Sequence, residues 1–198
     1  MPVLLPDARF PRLVSLACHD LRTPLATVSG FAHTLARVEA LEPPADRYVE
    51  MMIAASAELA ELVDLLGLLA RIEGQRYDPT LVETDSLELA HAAAARIGQE
   101  RVEVNGRGGT VAVDREAAEH AVHGLARCTL RHGGLERVSV AAEAAAVRIS
   151  PVTEAAAPVV MAQEIRDLGA AVGLRIVAAL GGSTELESET LVVRFREA

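Results

Sequence analysis

The sequence contains no tryptophan, and aromatic residues make up only 3% of it. A core must therefore be assembled from Leu, Val, Ile and Ala, and abundant alanine favours closely packed helices. Cysteine is scarce. Cys18 and Cys128 are the two present, too few for a disulfide framework and in keeping with a reducing cytoplasm. Long hydrophobic runs are missing as well. The opening MPVLLPDARFPR is apolar for a few residues only and is broken by proline. It is too short for a signal peptide or a membrane span, and no later run is long enough. No membrane association and no sensor domain within the chain are expected. Runs of Lys or Arg are absent, and a net charge of −9 argues against a general affinity for nucleic acid or anionic membranes.

What is present is globular. The chain has 198 residues, 51% of them hydrophobic and 24% charged, enough for one domain or two small ones. The first part reads as two long helices, over 7–39 and 46–72. In the first, Leu13, Leu16, Leu21, Leu25, Val28, Phe31 and Leu35 recur every three or four residues. Pro24 lies inside this pattern, where loss of one backbone hydrogen bond should kink the helix. Glu42, Pro43 and Pro44 break it, and Asp46 is placed to cap the next helix. That helix carries Met52, Leu59, Leu62, Val63, Leu66 and Leu69 as its stripe. A short loop between two long helices makes an antiparallel hairpin. Its apolar stripes are too wide for a lone hairpin to cover, so two copies should pair as a four-helix bundle and the protein should be a homodimer.

Composition changes near Tyr77–Pro79, which predicts domains over 1–76 and 77–198. The second part mixes strands and helices. Strand 81–84 leads to a helix over 85–97. Strands 101–105 and 110–113 flank a turn at 106–109. Asp114 caps a helix reaching about residue 132. Strands 137–142 and 145–150 form a hairpin. A helix over 162–180 ends at Gly181-Gly182, and strands 184–187 and 191–195 form a last hairpin. This order predicts an α+β fold, with helices on one face of a mixed sheet.

The stretch richest in chemistry is Ala17-Cys18-His19-Asp20-Leu21-Arg22-Thr23-Pro24-Leu25. His19 falls off the apolar stripe, so its imidazole should face solvent. A neutral imidazole is a good nucleophile near pH 7 and can form a phosphoramidate. Asp20 can accept a hydrogen bond from one ring nitrogen, fixing the tautomer and leaving the other nitrogen to attack. Thr23 lies four residues on from His19, on the same helical face, where its hydroxyl can orient a water.

HDLRTPL resembles the H-box in the dimerisation and phosphotransfer domain of bacterial sensor histidine kinases. The resemblance makes His19 the phospho-acceptor, Asp20 its acid/base neighbour, and Thr23 the residue that positions water when a response regulator is dephosphorylated. Arg22 can help steer phosphoryl oxygens, or can be a solvated surface residue. The rest of the chain resembles the ATP-binding domain of the same family in a decayed form. The helix 114–132 aligns with the one carrying the N-box, whose Asn binds the Mg²⁺ that bridges the ATP phosphates. Here Arg131-His132 match the end of that box, and Cys128 stands in place of the Asn; a thiol is a poor ligand for Mg²⁺. Where the family has Asp-x-Gly-x-Gly to read adenine, this chain has Thr153-Glu154-Ala155-Ala156-Ala157, with Glu154 the one conceivable substitute. Of the Gly-rich phosphate loop, Gly169 survives in Asp167-Leu168-Gly169-Ala170, and the flexible lid is nearly missing. The resemblance thus implies a domain that does not bind ATP productively, with no cofactor in this chain.

Plainer readings apply elsewhere. His120, Cys128 and His132 recur at multiples of four on one helix, and a soft-metal site there is conceivable. However, His120 and Cys128 are two turns apart, and scattered polar groups without a metal are expected. His33 and His91 read as surface residues and Cys18 as a packing residue. Glu58, Glu61 and Asp64 read as a solvated face that can border a docking surface. The function implied is a histidine phosphotransferase that relays phosphoryl groups between receiver domains of response regulators, which supply the Mg²⁺. The alternatives are a histidine kinase with an atypical ATP site, a non-catalytic receiver-binding module, and a Thr23-dependent phosphatase.

Overall fold

The structure is a computed structural model that describes residues 9–37, 41 and 44–198. The expected helix ends at 7 and 39, the breakers Glu42 and Pro43 and the side chain of Leu13 lie outside the described residues. The chain is α+β and divides into two compact units, Met1–Tyr77 and Asp78–Ala198.

The first unit is a helical hairpin of α1 (Arg9–Arg37) and α2 (Ala45–Glu73). The chain is helical on both sides of Pro24, which has no N–H to give to the carbonyl of Asp20 four residues back. Asp46 does not cap α2. The N-cap position is Pro44, and Asp46 sits in the first turn, its Oδ1 accepting the Arg47 N–H. A carboxylate there still faces the positive end of the helix dipole.

Within the hairpin, the buried seam is not the stripe that periodicity picks out. Pro11, Cys18 and Ala32 of α1 and Val49, Ser56, Leu65, Leu68 and Ala70 of α2 are buried. Leu16, Leu21, Val28, Phe31 and Leu35, together with Met52 and Leu59, are exposed. Small residues make up much of the seam beside Val49, Leu65 and Leu68, while these seven bulky ones face outward.

The second unit starts with β1 (Val82–Asp85), whose last residue caps α3 (Ser86–Ile97) by accepting the Leu87 N–H. Then come β2 (Val102–Gly108), β3 (Thr110–Val113), α4 (Arg115–Gly133), β4 (Val138–Ala144), β5 (Ala146–Ser150), the single turn α5 (Ala157–Val160), α6 (Leu168–Ala179), β6 (Ser183–Glu187) and β7 (Thr190–Arg194). Five strands form a mixed sheet in the order β2-β4-β5-β7-β6, parallel only between β2 and β4. Alternate residues Val138, Val140 and Ala142 of β4 and Val147 and Ile149 of β5 are buried, as a half-covered sheet requires. They share the core with Leu89 and Ala93 of α3, Ala121, Val122 and Leu125 of α4, and Val172 and Ile176 of α6. The two hairpins, β4–β5 and β6–β7, fall where the sequence places them.

Two expectations fail. β2 and β3 are not partners across a turn, because β3 pairs with β1 in a separate two-stranded ribbon. Gly109 between them is held by Ser86, whose N–H donates to the Gly109 carbonyl and whose Oγ accepts the Gly109 N–H. Ser86 Oγ also donates to the Ala144 carbonyl. The chain at Gly109 is thus tied to the start of α3 and cannot fold back on β2. The helix predicted over 162–180 begins only at Leu168. Ala162 has φ of 50°, a left-handed conformation that stops a helix, and Asp167 restarts it as the N-cap of α6. Residues 161–167 are a non-helical connection rather than part of a helix.

Candidate functional site

Cys18 is buried in the hairpin seam at 1% exposure. The next residue along a helix points about 100° away, so an anchored Cys18 turns His19 outward. The His19 side chain is 77% exposed, and its Nδ1 lies 3.2 Å from Asp20 Oδ1. This is the arrangement the spacing predicts: Asp20 engages one ring nitrogen, and Nε2 is left to solvent. Thr23 is exposed on the same helix, one turn on.

Arg22 has a definite partner. Its Nε and Nη2 both donate to Asp64 Oδ1 on α2, at 3.0 and 2.7 Å. Gly67, one turn beyond Asp64, lies against this pair with space for a methyl group at ordinary contact distance. A methyl there would lie 3.6 Å from Arg22 Nη2 and 3.8 Å from Cys18 Cβ. Arg22 and Asp64 are therefore neither a lone steering cation nor a merely solvated acid. They bridge the two helices beside His19, in an exposed pair of the kind worth about 0–1 kcal/mol. The sequence carries an i,i+3 relation between His19 and Arg22 but no sign of the partner on the other helix. Glu58 is exposed and Glu61 half-buried.

In the second unit, α4 holds a different cluster. Cys128 Sγ, a ring nitrogen of His132 and a carboxylate oxygen of Asp167 all lie within 4.8 Å of one another. Asp167 is buried, and its Oδ1 caps α6 through the Ala170 N–H at 3.0 Å. Burial, reinforced by the Asp167 carboxylate, pushes the Cys128 thiol up to about 12, so the sulfur holds its proton. His120 is not part of the cluster and meets Arg96 Nη1 at 3.1 Å instead. Asp167 falls inside the helix predicted over 162–180, and nothing in the sequence makes it a neighbour of Cys128, because 39 residues of chain separate them.

The comparisons now bear on both units. Residues 12–75 match the His Kinase A (phospho-acceptor) domain family. The helical hairpin is thus similar to that phospho-acceptor domain. Among solved structures, full-length ShkA in complex with AMPPNP superposes with a TM-score of 0.67 at 21% identity, over 95% of this chain and 46% of that one. This chain thus spans less than half of that protein. The histidine kinase AdeS of Acinetobacter baumannii superposes with a TM-score of 0.57 at 17% identity, over 90% of this chain and 97% of that one. The fold is shared throughout: a helical hairpin followed by a sheet unit of the histidine-kinase ATPase type. No curated protein matches the chain. Among the described residues, no helix is long and apolar enough to cross a membrane.

The residues that the sequence resemblance aligns with a nucleotide site are Cys128, the segment after β5 and Gly169. Cys128 is fully buried. After β5, Thr153 Oγ1 accepts the Ala156 N–H at 3.3 Å and closes a tight turn, while Glu154 points to solvent. Val152, Ala156, Val159 and Val160 fill this segment with buried apolar groups. Gly169 sits at the first turn of α6. It packs on α4 so closely that a methyl on Gly124 would come within 2.6 Å of its carbonyl oxygen.

Proposed function

We propose that the chain is a histidine phosphotransferase in two-component signalling, relaying phosphoryl groups between receiver aspartates of response regulators through His19. The observation that carries this reading is the exposed His19 imidazole, with Nδ1 beside Asp20 and Nε2 open to solvent, on a His Kinase A unit. In the forward step the Nε2 lone pair attacks the phosphorus of a receiver aspartyl phosphate. The P–O bond to the receiver carboxylate breaks, the carboxylate leaves, and an N–P bond forms. The Nδ1 proton stays on the ring, and Asp20 stabilises the positive charge that develops there. The receiver brings the Mg²⁺, and the reverse step passes the group to a second receiver. Catalysis of this kind asks mainly for positioning, which a side chain projecting from a rigid helix supplies.

Homodimerisation completes the reading. The outward Leu21, Val28, Phe31, Leu35, Met52 and Leu59 are an apolar surface of the sort that marks an interface. A second hairpin covers it in a four-helix bundle. The unsuited nucleotide positions support receivers, rather than ATP bound by this chain, as the phosphoryl source.

Purified protein is incubated with phosphorylated receivers from the source organism and, separately, with labelled ATP and Mg²⁺. Label should appear on the chain from at least one receiver, vanish in His19→Ala, and not appear from ATP. Robust ATP labelling of His19 would replace this reading with an atypical kinase. Failure of every receiver to label His19 would leave a binding module. Receiver dephosphorylation that persists in His19→Ala and is lost in Thr23→Ala would establish a phosphatase.

A further inference from the structure

Cys128 and His132 are four residues apart on α4, hence on one face, the spacing with which a helix presents two side chains to one metal ion. Asp167 joins them from the N-cap of α6. Its two oxygens have separate duties: Oδ1 is fixed by the Ala170 N–H, and Oδ2 faces His132 Nε2 at 3.4 Å. That nitrogen is buried and makes no hydrogen bond, even to Asp167. An unsatisfied buried nitrogen costs about 1–3 kcal/mol, and here it lies beside a thiol and a carboxylate.

From this convergence we infer that Cys128 Sγ, His132 Nε2 and Asp167 Oδ2 form a zinc site that ties the end of α4 to the start of α6.

The distances fit the ion. Nitrogen and oxygen ligands about 2.0–2.1 Å from a tetrahedral zinc stand about 3.4 Å apart, the separation found between His132 Nε2 and Asp167 Oδ2. Sulfur at about 2.3 Å from the same ion requires a side-chain adjustment on the order of 1 Å. The donor set is mixed sulfur, nitrogen and oxygen, which suits Zn²⁺ and not Mg²⁺. The helix-cap bond to Asp167 Oδ1 is the outer hydrogen bond that orients a metal-binding carboxylate. Binding replaces the Sγ proton, which passes to solvent. Three protein ligands leave a fourth position for water or a small anionic ligand, and His132, 20% exposed, borders the way in. The site is independent of phosphoryl transfer at His19.

The test uses the full chain, stripped with a chelator and then titrated with Zn²⁺ against a chromophoric competitor, and in parallel with Co²⁺. One equivalent should bind. Co²⁺ should show a thiolate charge-transfer band and tetrahedral visible absorption. Cys128→Ser and His132→Gln should each weaken Zn²⁺ by more than the roughly 10–100-fold that follows loss of an outer partner. His91→Ala, on an exposed histidine of α3, should bind as the parent does. Zn²⁺ should raise the melting temperature of the parent and not of the two ligand variants. Circular dichroism in chelator checks folding. If Cys128→Ser fails to fold, Asp167→Asn is read instead, since its side-chain oxygen keeps the helix cap while weakening the ligand. Absence of a bound equivalent, unchanged affinity in the ligand variants, or an octahedral Co²⁺ spectrum without the thiolate band would overturn the inference.

Discussion

The two units solve the burial problem in opposite ways. In the sheet unit, bulky apolar side chains such as Leu89, Leu125, Ile149, Ile176 and Leu191 have no exposed surface. In the hairpin, the seam is made largely of small residues, and Leu16, Leu21, Phe31 and Leu59 are each more than half exposed. The first pattern is a finished core. The second leaves bulky side chains outside its own seam, the surface on which the proposed homodimer rests. The difference also separates two kinds of histidine. His19 stands in the open unit with its reactive nitrogen in solvent, whereas His132 is held in the closed unit beside a thiol and a carboxylate.

The largest expected effect concerns the open unit. His19→Ala should reduce receiver-to-chain phosphoryl transfer to background, measured by label transfer, while the thermal melt stays unchanged because the side chain is exposed. Next is the outward surface: Leu21→Glu with Phe31→Glu should convert a dimer to a monomer at micromolar concentration, read by light scattering. Each buried side chain of this size contributes about 1.5–3 kcal/mol, and a dimer counts each twice. A dimer that survives both changes would remove the contrast between an open and a closed unit.

In the closed unit, Leu125→Ala should cost about 2–5 kcal/mol in denaturant unfolding. In the open unit, Gly30→Ala should add about 0.5–1 kcal/mol, because a methyl at Gly30 meets nothing within 4 Å and alanine restricts the unfolded chain. The smallest effect lies on the polar face of the sheet. Arg194 and Arg148 hydrogen-bond Glu187 and hold its carboxyl below the usual range. Arg194→Ala should raise that value toward the ordinary one, followed by NMR titration. The linkage sign is that of a depressed acid: the contribution is present above the unfolded pKa and is lost as pH falls through the folded one. Removing Arg194 should therefore slightly lower stability above the unfolded pKa and flatten its loss toward acid, read as a smaller difference between melts at neutral and acidic pH.

Much of this was legible in the residues alone. The cap Asp114 precedes its helix and accepts the Ala117 N–H in the first turn, as expected, whereas the caps Asp85 and Asp167 lie within the predicted helices and are not legible as caps. His19 beside Asp20 needed no tertiary information, since adjacent residues meet whatever the chain does elsewhere. The apolar stripes of α1 and α2 were visible too, but not their use. Periodicity says which side of a helix is apolar, not whether the covering surface comes from the same chain, and here the bulky side faces away from the hairpin's own seam.

What the sequence by itself determined is the local chemistry: a histidine off the apolar stripe with a carboxylate next to it, the Asp114 helix cap, and the alternating strands of the two hairpins. What only the tertiary structure decided is who meets whom across the chain. Gly109 went to Ser86, so β2 joined β4 in parallel and β3 joined β1. Arg22 met Asp64, and Asp167 met Cys128 and His132. The physical reason is range. A helix or strand repeat fixes neighbours within a few residues, but contacts between distant segments are set by which surfaces the whole fold must bury together.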